Sequence, residues 1–428
     1  EDFPVTLRYS PKSFIKDLRD GALPGEEFVE KGRDLEEGIE AAKLLVSYGY
    51  DSLDTDVGSY DSWWWSHPPM YQEKGLYRPY AKLMKETVDV PIICAGRMDD
   101  PDMALEAIEN GTCDIISLGR PLLADPDYVN KLRSNKLESI RPCISCQEGC
   151  MGRIQHYSML NCAVNPQACR EKDNGLTPIL KKKKVLIVGG GVAGCEAARV
   201  LALRGHEPVL YEKNDKLGGN LIPGGAPDFK EDDIALANWY AHTLGELNVE
   251  VHLNSELTKE EILKYDADSV IIATGSTPKV FSLGDDDKVF TAADVLLGNK
   301  DAGNTTVVVG GGLVGCELAL DLAKKGKKVT IVEALHKILA LNGPLCSANS
   351  EMLEKLIPFN GIEVKTNSKV KTYKDGMLEV ETENGIEKIE CDSVILSVGY
   401  KEENSLYNEL EFEIPEIHLL GDARKVSN

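Results

Sequence analysis

Four cysteines in the first half of the chain have the spacing of a metal–sulfur site. Cys143, Cys146, Cys150 and Cys162 form the pattern C-x2-C-x3-C-x11-C. This spacing places three thiolates on one tight turn and the fourth on a returning segment, which suits an iron–sulfur cluster. Structural zinc is the alternative, although zinc sites usually show two separated Cys-x2-Cys pairs. The pattern therefore favours one-electron chemistry.

Two glycine-rich segments downstream of the cysteines carry the fingerprint of dinucleotide-binding folds. Residues 189–194 and 310–315 each follow an apolar strand and open a helix, so a pyrophosphate can approach the helix N-terminus closely. An acid ends the next strand in each case, Glu212 and then Glu333, where it would accept a hydrogen bond from a ribose hydroxyl. The glycines expected at the two cofactors are Gly189, Gly191, Gly194, Gly310, Gly312 and Gly315.

The acid at Glu333 also predicts which nucleotide the second site takes. A carboxylate there repels a 2′-phosphate, so we expect NADH rather than NADPH. The alternative for either half is a binding fold that no longer holds its nucleotide. A thiolate site beside two nucleotide sites indicates a chain that transfers electrons, since nucleotides exchange them in pairs and clusters singly.

The segment before the cysteines alternates strands and helices. Its predicted strands are residues 4–9, 51–57, 90–95 and 113–118, and its predicted helices are residues 34–48, 79–88 and 101–110. Four βα units in succession predict a parallel sheet, which is either an open doubly wound sheet or part of a (βα)8 barrel.

Two successive predicted strands end in the same pair of residues, Gly96-Arg97 and Gly119-Arg120. In a barrel, the loops after the last two strands form the usual phosphate site. Glycine lets backbone N–H groups approach a phosphate, and arginine supplies a forked donor. The alternative is a glycine in a tight turn with an arginine that pairs on the surface. Because the two pairs lie at adjacent strand ends, we expect a phosphate site.

The long loop of residues 58–75 is rich in aromatic side chains. It holds Tyr60, three consecutive tryptophans and His67, and it follows the carboxyl end of a predicted strand. Three adjacent tryptophans cannot all face one core, so we expect at least one to line a pocket. Tyr60 and His67 are candidates for substrate binding or proton transfer, although a histidine beside two prolines can equally be a packing residue of the loop.

Composition limits the classes of partner. The net charge of −22 argues against a nucleic-acid surface and for small-molecule partners. No run of 18 apolar residues occurs, so no transmembrane helix is expected. Seven of the eleven cysteines are scattered outside the cluster pattern, as in a reduced, cytoplasmic protein rather than a disulfide framework.

The loop sequence and the order of the motifs carry a family resemblance. Residues 54–72, which include Gly-Ser-Tyr-Asp-Ser-Trp-Trp-Trp-Ser-His-Pro-Pro, resemble clostridial 2-enoate reductases. The whole chain is similar to the Old Yellow Enzyme-type iron–sulfur flavoproteins, a group that includes 2,4-dienoyl-CoA reductase, trimethylamine dehydrogenase and bile-acid enone oxidoreductases. The resemblance implies FMN in the barrel, a [4Fe-4S] cluster on the four cysteines, FAD at the first nucleotide site and NAD(H) at the second.

The resemblance also assigns individual residues. Arg8, on the first predicted strand, matches a basic residue that contacts the flavin ring, and the alternative for it is an ion pair inside the barrel. Gly219, Gly275 and Asp422 match positions that support FAD. Members similar to trimethylamine dehydrogenase bind only ADP at the first site, so that alternative stays open.

The implied fold is α/β: the C-terminal half of a (βα)8 barrel, an iron–sulfur segment and two Rossmann-like domains arranged as in glutathione-reductase-type flavoproteins. The expected domains are 1–135 for the half-barrel, 136–180 for the cluster segment, 181–290 and 401–428 for FAD, and 291–400 for NAD(H). In the family a complete barrel opens the protein, so the first half-barrel and the final flavin-binding helix are expected outside this chain. We therefore expect a homo-oligomer or pairing with the other half-barrel.

The implied function is NADH-dependent reduction of the activated C=C bond of an α,β-unsaturated carbonyl compound: a 2-enoate, an enoyl-CoA or an enone steroid. The resemblance implies that electrons pass from NADH to FAD, then to the cluster, to FMN and to the substrate. Two alternatives stay open. One is a dehydrogenase of amines or saturated ketones, and the other is an electron-transfer fragment without substrate chemistry.

Overall fold

The structure of the protein is a computed structural model that describes residues 3–340 and 345–427. Residues 1–2, 341–344 and 428, which fall within the expected domains, lie outside the described residues. The chain divides into two compact units, Glu1–Arg170 with Pro344–Lys355 and Glu171–Gly343 with Leu356–Asn428. Among the described residues, no helix combines the length and apolar character that crossing a bilayer requires.

The first unit contains the expected βα repeats. Its strands are β1 (Thr6–Tyr9), β2 (Ile15–Asp17), β3 (Asp20–Gly21), β4 (Ser52–Thr55), β5 (Ile92–Cys94) and β6 (Ile115–Ile116). Its helices are α1 (Leu35–Ser47), α2 (Trp63–Ser66), α3 (Arg78–Thr87), α4 (Pro101–Glu109), α5 (Arg120–Ala124), α6 (Tyr128–Arg133) and α7 (Arg153–Gln155). The β2–β3 hairpin was not predicted, and β6 is shorter than expected because the N–H of Cys113 bonds to the Ala107 carbonyl after α4.

Strand order favours the barrel over the open sheet. The four-stranded sheet has the order β1-β4-β5-β6, and every pairing in it is parallel. A doubly wound sheet would place later strands on both sides of the first. In this sheet, which does not include the β2–β3 hairpin, each strand instead lies beside the strand that precedes it in the sheet, as in a stretch of a (βα)8 barrel. Leu53, Ile92 and Met84 of α3 are fully buried in its core, and α3 contacts both β4 and β5.

The second unit is built on two parallel sheets. Its strands are β7 (Lys184–Val188), β8 (Glu207–Tyr211), β9 (Glu250–His252), β10 (Ser269–Ile272), β11 (Ser276–Pro278), β12 (Val289–Thr291), β13 (Thr305–Val309), β14 (Lys328–Val332), β15 (Glu363–Lys365), β16 (Lys369–Lys374), β17 (Met377–Thr382), β18 (Gly385–Glu390), β19 (Ser393–Leu396), β20 (Tyr400–Glu402) and β21 (Ile417–Leu419). One sheet has the order β21-β10-β7-β8-β9 and the other β12-β19-β13-β14-β15.

Helices follow the central strands of both sheets. They are α8 (Val192–Arg204), α9 (Leu221–Gly224), α10 (Glu231–Glu246), α11 (Lys259–Lys264), α12 (Ala292–Leu296), α13 (Leu313–Lys324), α14 (Ser347–Phe359), which begins in the first unit and ends in the second, and α15 (Ser405–Leu410). The antiparallel pair β11–β20 connects the sheets, and β16-β17-β18 form a small antiparallel sheet that the sequence analysis did not predict. Because β21 returns to the first sheet after the second is complete, one nucleotide fold is inserted within the other.

Candidate functional site

A cavity of about 570 Å³ opens at the carboxyl ends of the parallel strands in the first unit. This volume is within the range of small-molecule and cofactor sites. Its lining includes most of the residues that the sequence analysis selected in this unit, namely Arg8, Tyr60, His67, Gly96, Arg97, Gly119, Arg120 and Cys143. The lining also contains Trp63 of the tryptophan run and Asp56, Tyr77, Ser145 and Met151, four residues that the motifs had not indicated as site residues.

Arg8 lies on β1 and forms an ion pair at the edge of the cavity. Its Nε donates to Asp56 Oδ2 at 2.6 Å, and its Nη1 lies 3.7 Å from Asp54 Oδ2. Burial raises the pKa of both carboxyl groups, and the arginine opposes that shift. The ion pair considered for Arg8 is thus present, while 55% of its side chain stays exposed to the cavity and to solvent.

The two Gly-Arg pairs have different surroundings. Arg97 is buried, and its Nη1 donates to the carbonyls of Pro69, Met70 and Gln72, so it holds the aromatic loop in place. Arg120 donates from Nη2 to the Pro68 carbonyl at 2.8 Å, while its buried Nη1 has no hydrogen-bond partner among the described residues. The structure therefore brings both pairs to one cavity, where the Nη1 of Arg120 is a donor for which the described residues supply no acceptor.

The aromatic loop forms a stack of three rings at the cavity. Tyr60 lies on Trp63 with ring centroids 5.1 Å apart, and Trp63 lies on His67 at 4.2 Å. Trp64 and Trp65 are buried instead, and both indole N–H groups donate to the Ala22 carbonyl. One tryptophan of the three thus lines a pocket, which confirms the expectation for this run.

His67 is held as a neutral imidazole. Burial lowers its pKa to about 4, and the cations Arg120 and Arg8 act in the same direction. Its Nδ1 lies 3.1 Å from the Ser66 hydroxyl. Tyr60, by contrast, is 87% exposed. Of the two candidate proton-transfer residues, His67 is therefore the one whose side chain is held in place by its surroundings.

Residues 143–155, here called the cysteine loop, carry three of the four cluster-pattern cysteines. Ser145 and Gln147 adopt left-handed backbone conformations at φ 52° and 60°, and a π-helical turn follows over Glu148–Gly152. The Asn161 N–H bonds to the Gly149 carbonyl at 2.7 Å, which returns the chain to the loop next to Cys162. The loop thus makes the tight turn and the return that the spacing predicted.

The four thiols are electrostatic neighbours. Burial raises the pKa of Cys143 to about 11 and also raises the pKa of Cys146, to which the thiols of Cys143, Cys150 and Cys162 contribute. In residues 3–340 and 345–427, however, no group of three or more Cys, His, Asp or Glu side chains has the geometry of a metal site. The donor chemistry suits a soft metal, and the expected cluster remains a proposal.

The first nucleotide motif of the second unit gathers its predicted residues around one turn. Glu212 Oε2 accepts the N–H of Gly190 at 2.7 Å, and Glu212 Oε1 accepts the N–H of Asn214 at 2.8 Å. A Cβ on Gly194 would lie 1.9 Å from the Gly189 carbonyl oxygen, so only glycine allows α8 to pack against the turn. The other residues predicted for this site lie close to the turn. Gly191 forms a β-bridge with Gly218, the neighbour of Gly219. Ser276, next to Gly275, donates to Asp422, and Gly421 lies against Ala193.

The second nucleotide motif has the same geometry in the other parallel sheet. Glu333 Oε2 accepts the N–H of Gly311 at 2.6 Å, and Glu333 Oε1 accepts the N–H of Leu335 at 2.8 Å. A Cβ on Gly315 would lie 2.0 Å from the Gly310 carbonyl oxygen, and Gly312 is the last residue before α13. Both predicted acids therefore lie at the end of the strand that neighbours the glycine loop.

A cavity lined by arginines at the ends of parallel strands, joined in one chain to two dinucleotide turns, is an arrangement typical of flavin- and pyridine-nucleotide-dependent oxidoreductases. Residues 183–419 match the family "Pyridine nucleotide-disulphide oxidoreductase", and residues 23–138 match "NADH:flavin oxidoreductase / NADH oxidase family". The chain belongs to the pyridine nucleotide-disulphide oxidoreductase family, and the two matches together agree with the expected resemblance to the Old Yellow Enzyme-type iron–sulfur flavoproteins.

Individual relatives agree with this classification. The chain is 55% identical over 428 residues to a cinnamate reductase of Clostridium sporogenes and 36% identical over 439 residues to an NADH oxidase of Thermoanaerobacter brockii. All of this chain and 64% of each relative are covered. A solved structure of a 2-naphthoyl-CoA reductase in complex with 2-naphthoyl-CoA superposes on the whole chain with a TM-score of 0.89 at 28% identity, and 63% of that chain is covered. The chain thus spans somewhat less than two thirds of the length of each of these proteins.

Proposed function

We propose that this chain is part of an NADH-dependent reductase of activated C=C bonds, with a 2-enoate as substrate. The observation that carries the proposal is a single cavity lined by Arg8, Arg120, His67 and Cys143. Two cations, a histidine and the first residue of the cysteine loop line one space, which supports a bound flavin and its substrate there. The 55% identity to a cinnamate reductase supports a 2-enoate over the other unsaturated carbonyl compounds.

FMN is the cofactor that we assign to the cavity. The unpartnered Nη1 of Arg120 needs an anionic acceptor, and a phosphate oxygen would satisfy it. A Cβ on Gly119 would meet no atom within 4 Å, so its backbone borders open space where a phosphate could approach. Arg8 would stand beside the flavin ring and stabilise negative charge there. Arg97 supports this site through the loop it anchors, rather than as a direct phosphate ligand.

The second unit would hold the two dinucleotides. We assign FAD to the turn at Gly189, Gly191 and Gly194, with Gly219, Gly275 and Asp422 around it. NADH is assigned to the turn at Gly310, Gly312 and Gly315. Each acid, Glu212 and Glu333, is fixed by backbone N–H groups at a strand end, which leaves its carboxylate in place to accept from a ribose hydroxyl.

The cysteine loop, with Cys143, Cys146 and Cys150, would bind the iron–sulfur cluster together with Cys162 of the returning segment. The four thiols are neighbours, no carboxylate belongs to the set, and Cys143 borders the cavity. Thiolates are the ligands such clusters use. When bound, the cluster supplies one-electron transfer and the flavins and NADH supply hydride transfer. The boundaries of the five domains, and pairing with a further half-barrel or with a second copy, remain part of this proposal.

The protein side chains have two tasks in the reaction. Reduction of an α,β-unsaturated carbonyl compound places a hydride on the β-carbon and a proton on the α-carbon. His67, neutral at physiological pH, can pass a proton only as a relay, in which one ring nitrogen takes a proton from solvent as the other gives its N–H proton to the substrate. The stacked rings of Trp63 and Tyr60 cover one side of His67 and restrict how a substrate can reach it.

Steady-state assays test the proposal directly. NADH consumption is measured anaerobically with cinnamate, an enoyl-CoA and a Δ4-3-keto steroid. The proposal expects the highest kcat/KM with cinnamate and stoichiometric formation of the saturated acid. A protein that oxidises NADH without reducing any of the three compounds would contradict it.

A further inference from the structure

A segment far along the chain contacts the cysteine loop within the first unit. Residues 345–355, here called the clasp, comprise Leu345, Cys346 and the beginning of α14. They are separated from the cysteine loop by almost two hundred residues of sequence, and no motif links the two. The contacts between them are polar, directional and at least partly buried.

Cys346, Ser347 and Asn349 of the clasp bond to four residues of the loop, Gln155, Glu148, Gln147 and Ser145. Gln155 forms two of these bonds to Ser347: its Nε2 donates to the hydroxyl at 2.7 Å, and its Oε1 accepts the backbone N–H at 3.1 Å. The Cys346 N–H donates to Glu148 Oε1 at 3.2 Å.

A further bond reaches the strained part of the loop. Asn349 Nδ2 donates to the Ser145 carbonyl at 3.3 Å. Ser145 lies at φ 52° and Gln147 at φ 60°, conformations that non-glycine residues adopt only when their surroundings impose them. Both residues are buried, and Gln147 also donates from Nε2 to the His67 carbonyl at 2.8 Å. The loop conformation is therefore held from outside the loop.

The clasp is itself firmly seated. Cys346, Ala348, Met352 and Leu353 are fully buried, and Lys355 pairs with Asp20 at 2.6 Å. Cys346 packs against Gly152, where an added Cβ would meet the Cys346 Cβ at 3.4 Å. A well-seated partner can hold a strained loop, whereas a mobile one would not.

We propose that the clasp is a positioning element that holds the cysteine loop in the conformation that retains its metal cluster. The inference rests on the proposed cluster and adds residues to which no motif assigns a role. Neither Ser347 nor Asn349 lines the cavity, and their side chains bond to Gln155 and Ser145 rather than to the four cysteines of the pattern, so they would act on the cluster through the loop.

The test compares cluster lifetimes in the holoenzyme, prepared anaerobically. Ser347→Ala and Asn349→Ala each remove a side-chain contact with the loop, and Ser347→Thr keeps the hydroxyl. Glu354→Gln, on the exposed face of α14, is the matched control. The first readout is the rate at which the visible absorbance of the cluster is lost under a chelator. The second is hydrogen exchange of the amides of residues 145–152, measured beside the thermal midpoint of the protein.

The proposal expects cluster loss to be faster by roughly fivefold to tenfold in each alanine variant, as the loss of one buried hydrogen bond implies. Exchange in residues 145–152 should accelerate, while Ser347→Thr and Glu354→Gln stay near the unchanged protein. Equal cluster lifetimes in all variants would overturn the clasp. The clasp would also be overturned if the alanine variants lost the cluster faster only in proportion to a lower thermal midpoint. That outcome would indicate general destabilisation of the fold.

The failure of the cluster proposal itself would look different. If the unaltered protein holds no iron after anaerobic preparation, the proposed function fails before any variant is compared. If it holds iron and the alanine variants lose it no faster, only the clasp is wrong.

Discussion

Glu333 accepts the backbone N–H of Gly311 across 2.6 Å, and the equivalent bond from Gly190 to Glu212 spans 2.7 Å in the other nucleotide fold. Each carboxylate thus braces its own glycine turn before any ligand arrives. In both folds the acid also accepts from an N–H two residues further along the chain. The repeated geometry means that each acid both shapes the turn and remains available to a ribose.

The charge of Glu333 should set the nucleotide preference. Glu333→Gln retains an oxygen for the Gly311 N–H but removes the repulsion of a 2′-phosphate. We expect kcat/KM for NADH to fall and the ratio of NADH to NADPH use to drop by about tenfold. The corresponding change at Glu212 should leave this ratio unaltered, because it lies in the other fold. An unchanged ratio in the Glu333 variant would refute this role.

Substitution of the third glycine of each motif should abolish binding of one nucleotide without affecting the other. In Gly315→Ala the new Cβ meets the Gly310 carbonyl oxygen at 2.0 Å, and in Gly194→Ala it meets the Gly189 oxygen at 1.9 Å. We expect the first variant to lose NADH binding with FAD retained, and the second to lose FAD. Flavin analysis and NADH titration measure the two losses.

The control for these variants is Gly245→Ala in α10, where a Cβ meets nothing within 4 Å. It should keep both cofactors and gain up to about 1 kcal/mol of stability from helix propensity. Retention of NADH by Gly315→Ala would argue against the assigned site.

The two arginines of the cavity should respond differently to substitution. Arg120→Gln removes the donor without a partner, so FMN affinity should fall by roughly tenfold or more while the thermal midpoint changes little. Arg97→Gln removes a buried charged donor from the carbonyls of the aromatic loop, so it should cost about 3 kcal/mol of unfolding free energy. Flavin titration and denaturant unfolding distinguish the two. Equal flavin losses with no difference in stability would contradict the assignment.

The environment of His67 predicts a pH dependence of stability. Its folded pKa of about 4 lies below the ordinary value of 6.5, so the unfolded chain binds a proton first as the pH falls. This contribution is complete above pH 6.5 and is lost as the pH falls toward 4, with an upper limit of about 3 kcal/mol. In His67→Gln, unfolding free energy measured from pH 7 to pH 4 should fall less steeply than in the unaltered protein. Parallel curves would show that the imidazole is not buried as described.

Much of this architecture follows from local sequence, and some of it does not. The glycine turns and their acids are predictable because each motif is contiguous and sterically demanding, as Gly194 and Gly315 show. The Gly-Arg pairs are locally visible too, yet the sequence does not distinguish Arg120 from Arg97. That difference depends on where the carbonyls of Pro69 and Met70 lie, which the fold alone decides.

The contacts that the sequence did not predict are mainly those between segments far apart in the chain. Asp56 pairs with Arg8, and it stands just beyond the carboxyl end of the neighbouring strand, so register could have suggested it once the strands were aligned. Nothing in the sequence indicates that Ser347 and Asn349 reach the cysteine loop. The scattered Cys346 has no recognisable spacing to the other four cysteines, and only the folded chain places it beside Gly152.

The central claim is that the cysteine loop and the cavity serve one electron-transferring reductase. The most direct test is iron and flavin analysis of anaerobically prepared protein, together with NADH-driven cinnamate reduction, in the unaltered form and in Cys146→Ser. We predict about four iron atoms per chain, as a [4Fe-4S] cluster requires, and loss of both iron and cinnamate reduction in the variant. Protein without iron, or a variant that reduces cinnamate at the unaltered rate, would contradict the account.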